Sequence, residues 1–256
     1  MKMKAFGIIL ILLNFFFYSY ANNKEILHVE YYAYEVRKVG DVGPVKLCTV
    51  LSIGKDMSKY GWAPRKENRK YIYYVGWDLY WVYKNYPTQG RLTYHGEICK
   101  VPYTYSESMP TLDWNIVDGD SIVCGYHCQK AQTTFRGRTW TAWFSIDLPY
   151  SDGPWKLCGL PGLILKAYDS KGVFSFVAVE IAKGNGEDIK VDLTGKRMKS
   201  PNHFNKEMIA YVSNPVLYEK DLGKINYYID GKTGEKVYCT ENPWVPNLLE
   251  YFDEKK

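Results

Sequence analysis

Residues 139–181 read TWTAWFSIDLPYSDGPWKLCGLPGLILKAYDSKGVFSFVAVEI, and the alternation within them decides the fold class. In Thr139–Ile146, Trp140, Ala142 and Phe144 face one way and Thr139, Thr141 and Trp143 the other, the period of a strand. Trp140 and Phe144 are candidate core residues. Leu163–Tyr168 and Val173–Ile181 are two further strands, joined by the turn Asp169-Ser170-Lys171-Gly172. Phe174, Phe176 and Ala178 oppose Val173, Ser175, Val177 and Val179, so the last strand has two apolar faces and belongs in the middle of a sheet. Ser151-Asp152-Gly153-Pro154 and Gly159-Leu160-Pro161-Gly162 bend the chain sharply. In the second, Pro161 and Gly162 carry the chemistry of a type II turn, which asks Gly162 for a positive φ. Leu163 and Ile164 then enter the core.

Working outward, Arg136-Gly137-Arg138 is a short turn, and Ile122–Thr134 reads as one strand preceded by an Asp118-Gly119-Asp120 turn. Cys99–Pro110, with two prolines and no periodicity, reads as loop or irregular edge. Ile26–Val36 and Tyr71–Tyr83 are aromatic and β-branched strand candidates, separated by the loop signals Gly40–Pro44 and Trp62-Ala63-Pro64. One helix stands out. Ser200-Pro201-Asn202 opens it, Phe204, Met208, Ile209 and Val212 recur at helical spacing, and Asn214-Pro215 closes it. Ile225–Ile229 and Lys236–Thr240 form a last hairpin around Asp230–Gly234. The expected fold is mainly β: a single curved antiparallel sheet, bowl or half-barrel, with one packed helix.

Composition narrows the class. The chain has 256 residues, 46% hydrophobic and 24% charged, which excludes a disordered or collagen-like protein. Its formal net charge is +5, and no run of five like charges marks a nucleic-acid or anionic-membrane patch. Met1-Lys2-Met3-Lys4 is basic, Ala5–Tyr18 is apolar, and Ser19-Tyr20-Ala21 is a small-x-small cleavage site. The apolar stretch spans about 21 Å as a helix, short of a bilayer core of roughly 30 Å. Residues 1–21 therefore read as a signal peptide and 22–256 as one β-rich domain, exported to the periplasm, the cell surface or the medium. No membrane span is expected once the leader is gone.

Candidate chemistry is sparse. His28, His95, His127 and His203 form no zinc-protease motif, and no nucleophile elbow, phosphate loop or dinucleotide fingerprint occurs. Gly184-Asn185-Gly186 is a surface turn. Cys124, His127 and Cys128 sit within five residues, but without the spacing of a zinc site. Asp147, Asp152 and Asp169 are conceivable acid/base carboxylates, although Asp152 and Asp169 sit as ordinary turn residues. The sequence designates no catalytic residue, no metal ligand and no cofactor. The chain holds 24 Tyr, 8 Trp and 10 Phe. Such rings suit strands, and they could equally form a platform for sugars or peptides. Tyr32, Tyr34, Tyr80 and Trp81 stay undecided between the two. The six cysteines, Cys48, Cys99, Cys124, Cys128, Cys158 and Cys239, would lie in an oxidising space and allow 15 full pairings.

Gly159-Leu160-Pro161-Gly162-Leu163-Ile164 spells the motif of the GLPGLI family, and the chain resembles that family around it. The likeness takes in Gly125-Tyr126-His127-Cys128-Gln129-Lys130-Ala131, Phe135-Arg136-Gly137-Arg138 and Thr141-Ala142-Trp143-Phe144. It continues through Ser151-Asp152-Gly153-Pro154-Trp155-Lys156 and Gly159–Lys166 to Asp169 and Gly172. The resemblance implies an exported protein of Bacteroidota-type bacteria and supplies no catalytic residue. At the level of fold it is similar to the bowl-like N-terminal domain that accompanies a peptide-N-glycosidase. Cys128 and Cys158 both occupy family positions, and the resemblance implies that they pair. Closing that loop of about 30 residues would contribute on the order of 3–4 kcal/mol. The motif residues Asp152, Gly153, Pro154 and Gly159–Ile164 are expected to shape the fold rather than touch a ligand.

The functional expectation is a non-enzymatic binding or chaperone-like module with an aromatic-rich concave face for a peptide, lipoprotein or glycan. The alternative is an enzyme or accessory domain acting on surface glycans or peptides, with Asp147 and Asp152 as the first candidates for its chemistry. A third reading is a thiol or metal protein built on Cys124, His127 and Cys128.

Overall fold

The computed structural model describes residues 23–35, 45–63, 66–67, 70–71, 80–222, 227–229, 233 and 235–238. The expected leader, the Gly40–Pro44 loop, Pro64, most of the 71–83 run, most of the Asp230–Gly234 turn and Cys239 lie outside those residues. The strands are β1 (Leu27–Glu35), β2 (Val45–Ile53), β3 (Ser58–Trp62), β4 (Lys66–Glu67), β5 (Lys70–Tyr71), β6 (Tyr80–Lys84), β7 (Arg91–Ile98) and β8 (Val101–Ser108). Then follow β9 (Asn115–Val123), β10 (Tyr126–Phe135), β11 (Arg138–Ser145), β12 (Leu163–Asp169), β13 (Phe174–Lys183) and β14 (Lys196–Arg197). Two helices, α1 (Pro201–Ser213) and α2 (Pro215–Asp221), precede a hairpin of β15 (Tyr227–Ile229) and β16 (Lys236–Tyr238).

Twelve strands form one open sheet in the order β14-β8-β7-β6-β3-β2-β1-β13-β12-β11-β10-β9. Every pairing is antiparallel except that of β14 along β8. The two-faced strand β13 sits between β1 and β12, the interior place its composition calls for. One face of the sheet carries the core. β1 alternates strictly, burying Leu27, Val29, Tyr31 and Ala33 and leaving His28, Glu30, Tyr32 and Tyr34 half-buried on the other side. Trp140, Ala142 and Phe144 are fully buried, as their alternation requires. α1 is capped by the Ser200 hydroxyl, which accepts from the His203 N–H, and it lays Phe204 against the rings of Tyr94 and Tyr105.

Four local expectations are corrected. Residues 101–108 form β8, not a loop: Tyr103 and Tyr105 alternate inward, and Pro102 falls near the start of the strand. Asp118 and Gly119 make no chain reversal. They are the extra residues of a bulge, since Asp120 pairs Gln129 and Val117 pairs Lys130. The run 122–134 is two strands, because Cys124 (φ 50°) and Gly125 (φ 81°) turn the chain between Val123 and Tyr126. Both central residues have positive φ, as in a type I′ hairpin, with Cys124 where Asn or Asp is usual.

The fourth concerns Gly162. The positive-φ residues of this segment are Trp155 (φ 51°) and Gly159 (φ 93°), not Gly162. Glycine is required at 162 by close approach: a Cβ there would lie 2.1 Å from the Ser145 carbonyl oxygen. Gly162→Ala must therefore push apart the entry to β12 and the exit of β11. A loss of about 1–3 kcal/mol is expected in denaturant unfolding. An unchanged midpoint would mean that the Ser145 carbonyl has room to retreat.

Candidate functional site

The segment between β11 and β12 returns across the core face and fills it. Trp155, Lys156 and Leu157 are fully buried, and Cys158 and Leu160 nearly so. Trp155 lies 5.6 Å from Trp140 and 5.5 Å from Phe135, ring centroid to centroid. From Trp140 the rings continue through Phe176 to Tyr60, Tyr80 and Tyr94. The aromatic face that the composition offers to a ligand is thus core, covered by the protein's own chain. Tyr80 belongs to it. Tyr32, Tyr34 and Trp81 stand on the outer face.

Charges lock this plug in place. Asp152 accepts from Lys84 and from the Ser58 hydroxyl, and its Oδ1 also takes the Gly153 N–H at 2.7 Å. Lys84, 2% exposed, donates further to the Gly153 carbonyl and to the Leu157 carbonyl at 3.4 Å. Lys156, fully buried, donates to Glu107 Oε1 at 2.6 Å and to the Tyr105 hydroxyl at 2.8 Å. The second Glu107 oxygen accepts from Arg136 of the β10–β11 turn. Arg138 and Asp169 form a third buried pair at 2.7 Å, and Asp169 Oδ1 also accepts the Phe174 N–H at 2.8 Å. Asp169 does open its turn, the Gly172 N–H bonding its carbonyl at 3.0 Å, but the side chains of Asp152 and Asp169 are in addition inward anions with cation partners. Ile164 gives its N–H to the Asp152 carbonyl, and its own carbonyl accepts from the buried Tyr31 hydroxyl. Gly159 abuts Trp114, whose indole donates to the Cys158 carbonyl at 2.7 Å.

The remaining carboxylate and the thiol–imidazole cluster do not converge. Asp147 is exposed while Asp152 faces inward. Cys124 and His127 are exposed and Cys128 is buried, and among the described residues no three His, Cys, Asp or Glu side chains gather as metal ligands. Cys128 and Cys158 do not lie at bridging distance in this structure. Cys158 lies in the plug with its sulfur toward the Pro110 carbonyl, Cys128 sits on β10, and both thiols are free. Burial pushes the Cys158 thiol up to about 11, Lys84 opposing the shift and Asp152 adding to it.

The outer face carries a second arrangement, assembled by register. Tyr32 of β1 stands opposite Val177 of β13, Val177 opposite Lys166 of β12, Lys166 opposite Trp143 of β11, and Trp143 opposite Lys130 of β10. All five are half-buried. Lys46 lies 3.4 Å from the Tyr32 ring, Lys130 lies 5.7 Å from Trp143, and Lys166 lies 6.0 Å from Tyr168. Ammonium groups over ring faces make this a mixed row of cations and aromatics, with Val177 between Tyr32 and Lys166. The β9 bulge makes room for it, since a Cβ on Gly119 would press on Lys130 and Trp143. The Trp143 indole N–H is buried without a partner among the described residues.

Farther along the same face, Lys59 sits near Trp81 and Tyr83 and donates to the Lys190 carbonyl at 2.9 Å. Desolvation pulls the Lys59 and His95 pKa values down, opposed in each by Asp192. The lysine row had no motif to announce it. Its one sequence signal was the second apolar face of β13.

A family model described as a protein of unknown function (Porph_ging) matches residues 127–166, the span from the β10 strand through the plug into β12. No curated protein matches the chain. Two solved structures of PNGF-II are similar in shape, one in space group P21 (TM-score 0.49, 16% identity) and one in C2 (TM-score 0.46, 14% identity). Each match covers 71% of this chain and 32% of the other, so the chain spans about a third of PNGF-II. Among the described residues, no helix is long and apolar enough to cross a membrane.

Two outcomes follow from the plug. Glu107→Gln leaves Lys156 and Arg136 facing each other without their anion, and unfolding free energy should fall by about 3–5 kcal/mol. Adding Lys156→Met should return part of that loss, as read from tryptophan fluorescence in denaturant. In alkylation followed by mass spectrometry, Cys124 should react in the native protein and Cys158 only after denaturation. Equal native rates would show that the plug opens.

Proposed function

We propose that this protein is an exported, non-enzymatic binding module whose ligand surface is the outer aromatic–lysine row rather than the filled interior. Residues 1–21 serve as its leader and 22–256 form one domain. The observation that carries the reading is the division of labour between the two faces. The interior ion pairs each hold the plug or a hairpin end, while Tyr32, Trp143 and the neighbouring lysines remain half-buried and reachable. Ring faces take the apolar faces of sugars or peptide side chains, and ammonium groups between them favour ligands that also bear carboxylates. A peptide, a lipoprotein segment or a glycan with acidic groups fits that chemistry.

Arrays of acidic glycans and peptides, followed by thermal shift on the hits, test the proposal. Trp143→Ala and Tyr32→Ala are expected to weaken binding by about tenfold or more, in line with 1–2 kcal/mol per lost ring contact. Binding unaffected by either variant would place the ligand elsewhere. Cleaved glycopeptides in the mass spectrum of an incubated pool would replace the binding module with an enzyme.

A further inference from the structure

A cavity of about 420 Å³ opens at the edge of the sheet where β14 returns alongside β8, lined by Arg91, Ser106, Arg197, Met198 and Lys199. The fold positions these groups. Arg197 stands opposite Thr104, and the next residue, Met198, gives its N–H to the Thr104 carbonyl at 2.7 Å. Met198 is buried, while Arg197 and Lys199 on either side of it are exposed. Gly195 (φ 111°) permits the close approach of β14: a Cβ there would meet the Pro102 carbonyl oxygen at 2.3 Å. Arg91 reaches the corner from β7, steadied by the Ser108 hydroxyl at 3.4 Å. α1 starts just beyond Lys199, with Ser200 as its cap, and its N-terminal dipole adds positive potential to the same corner.

Elsewhere this protein neutralises its inward-facing cations. Lys84 has Asp152, Lys156 and Arg136 share Glu107, and Arg138 has Asp169. Here Arg91 is half-buried and Arg197 and Lys199 are exposed; no carboxylate lines this cavity, Glu207 and Asp221 lying in the adjoining one that Arg197 also borders, and among the described residues no carboxylate forms an ion pair with the three cations. The Ser106 hydroxyl already bonds Thr93 at 2.8 Å, so recognition falls to the three cations. Two guanidinium forks and an ammonium around one cavity match the tetrahedral oxygens of a phosphate or sulfate group, which guanidinium binds in bidentate fashion. We propose that this cavity is an oxyanion site, taking phosphate or sulfate either free or as an ester. The site lies at the β8 edge, apart from the outer-face row, and stands whether or not that row binds a ligand.

Calorimetric titration of the full chain with inorganic phosphate and with inorganic sulfate, each against chloride at matched ionic strength, tests it. Saturable binding of at least one oxyanion is expected, weakened about tenfold or more by Arg91→Gln and by Arg197→Gln. Lys183→Gln, an exposed lysine on β13, should bind as the parent does. A preference for phosphate or for sulfate identifies which ester the site serves. If either arginine variant fails to fold, Lys199→Gln carries the same expectation. No saturation above chloride, or equal affinity in the parent and the cavity variants, overturns the proposal.

Discussion

Laid flat at ~4.8 Å per strand, this sheet would hold β8 and the β10–β11 turn roughly 40 Å apart. Glu107 of β8 nevertheless bonds Arg136 of that turn directly, and its other oxygen takes the buried ammonium of Lys156. The sheet must curl to allow this, and one carboxylate with two cations joins its far limbs through the plug. Part of the interior depends on that closure. Trp155 finds Trp140 and Phe135 on its own limb, but without the closure Lys84 of β6 would have no plug carbonyls to bind. A buried ion pair adds little net stability over a well-packed apolar pair, but it tolerates few alternative arrangements, because an unmatched charge inside is so costly. We read the network as a device for choosing one curvature among many.

The charged residues between 127 and 169 take a different meaning in this light. Arg136, Arg138, Asp152, Lys156 and Asp169 would look like surface or catalytic chemistry if judged by residue type alone. In the fold each is paired inward, and together they specify the plug and the two hairpins beside it. The span matched by the family model, 127–166, takes in the β10–β11 hairpin and the whole of this plug. The proposed partner surfaces are both on the outside: the row of rings and lysines across the middle of the sheet and the basic cavity at its edge.

Local order was readable because it depends on neighbours in the chain. Trp140 and Phe144 announced their face through alternation, Asp169–Gly172 announced a reversal, and Ser200-Pro201 announced a helix start. Misreadings arose where a local signal had two meanings. Glycine after aspartate serves a turn or a bulge, and Gly119 proved to be the bulge. Glycine at 162 suits a positive φ or a close carbonyl, and it met the carbonyl. Two prolines hid β8, although Tyr103 and Tyr105 were alternating between them.

The amino-acid order by itself determined that the chain would be pleated, where the β10–β11 and β12–β13 hairpins reverse and that the Trp140–Phe144 stripe would be dry, since each follows from contacts within a few residues. Only the tertiary structure decided that Lys84 meets Asp152 from 68 residues away, that Glu107 bridges two limbs of the sheet, and that the Tyr32–Trp143 row and the Arg91–Arg197 cavity exist at all. The physical reason is that charge pairing and strand register act through space. Their energies depend on distances that no spacing along the chain encodes.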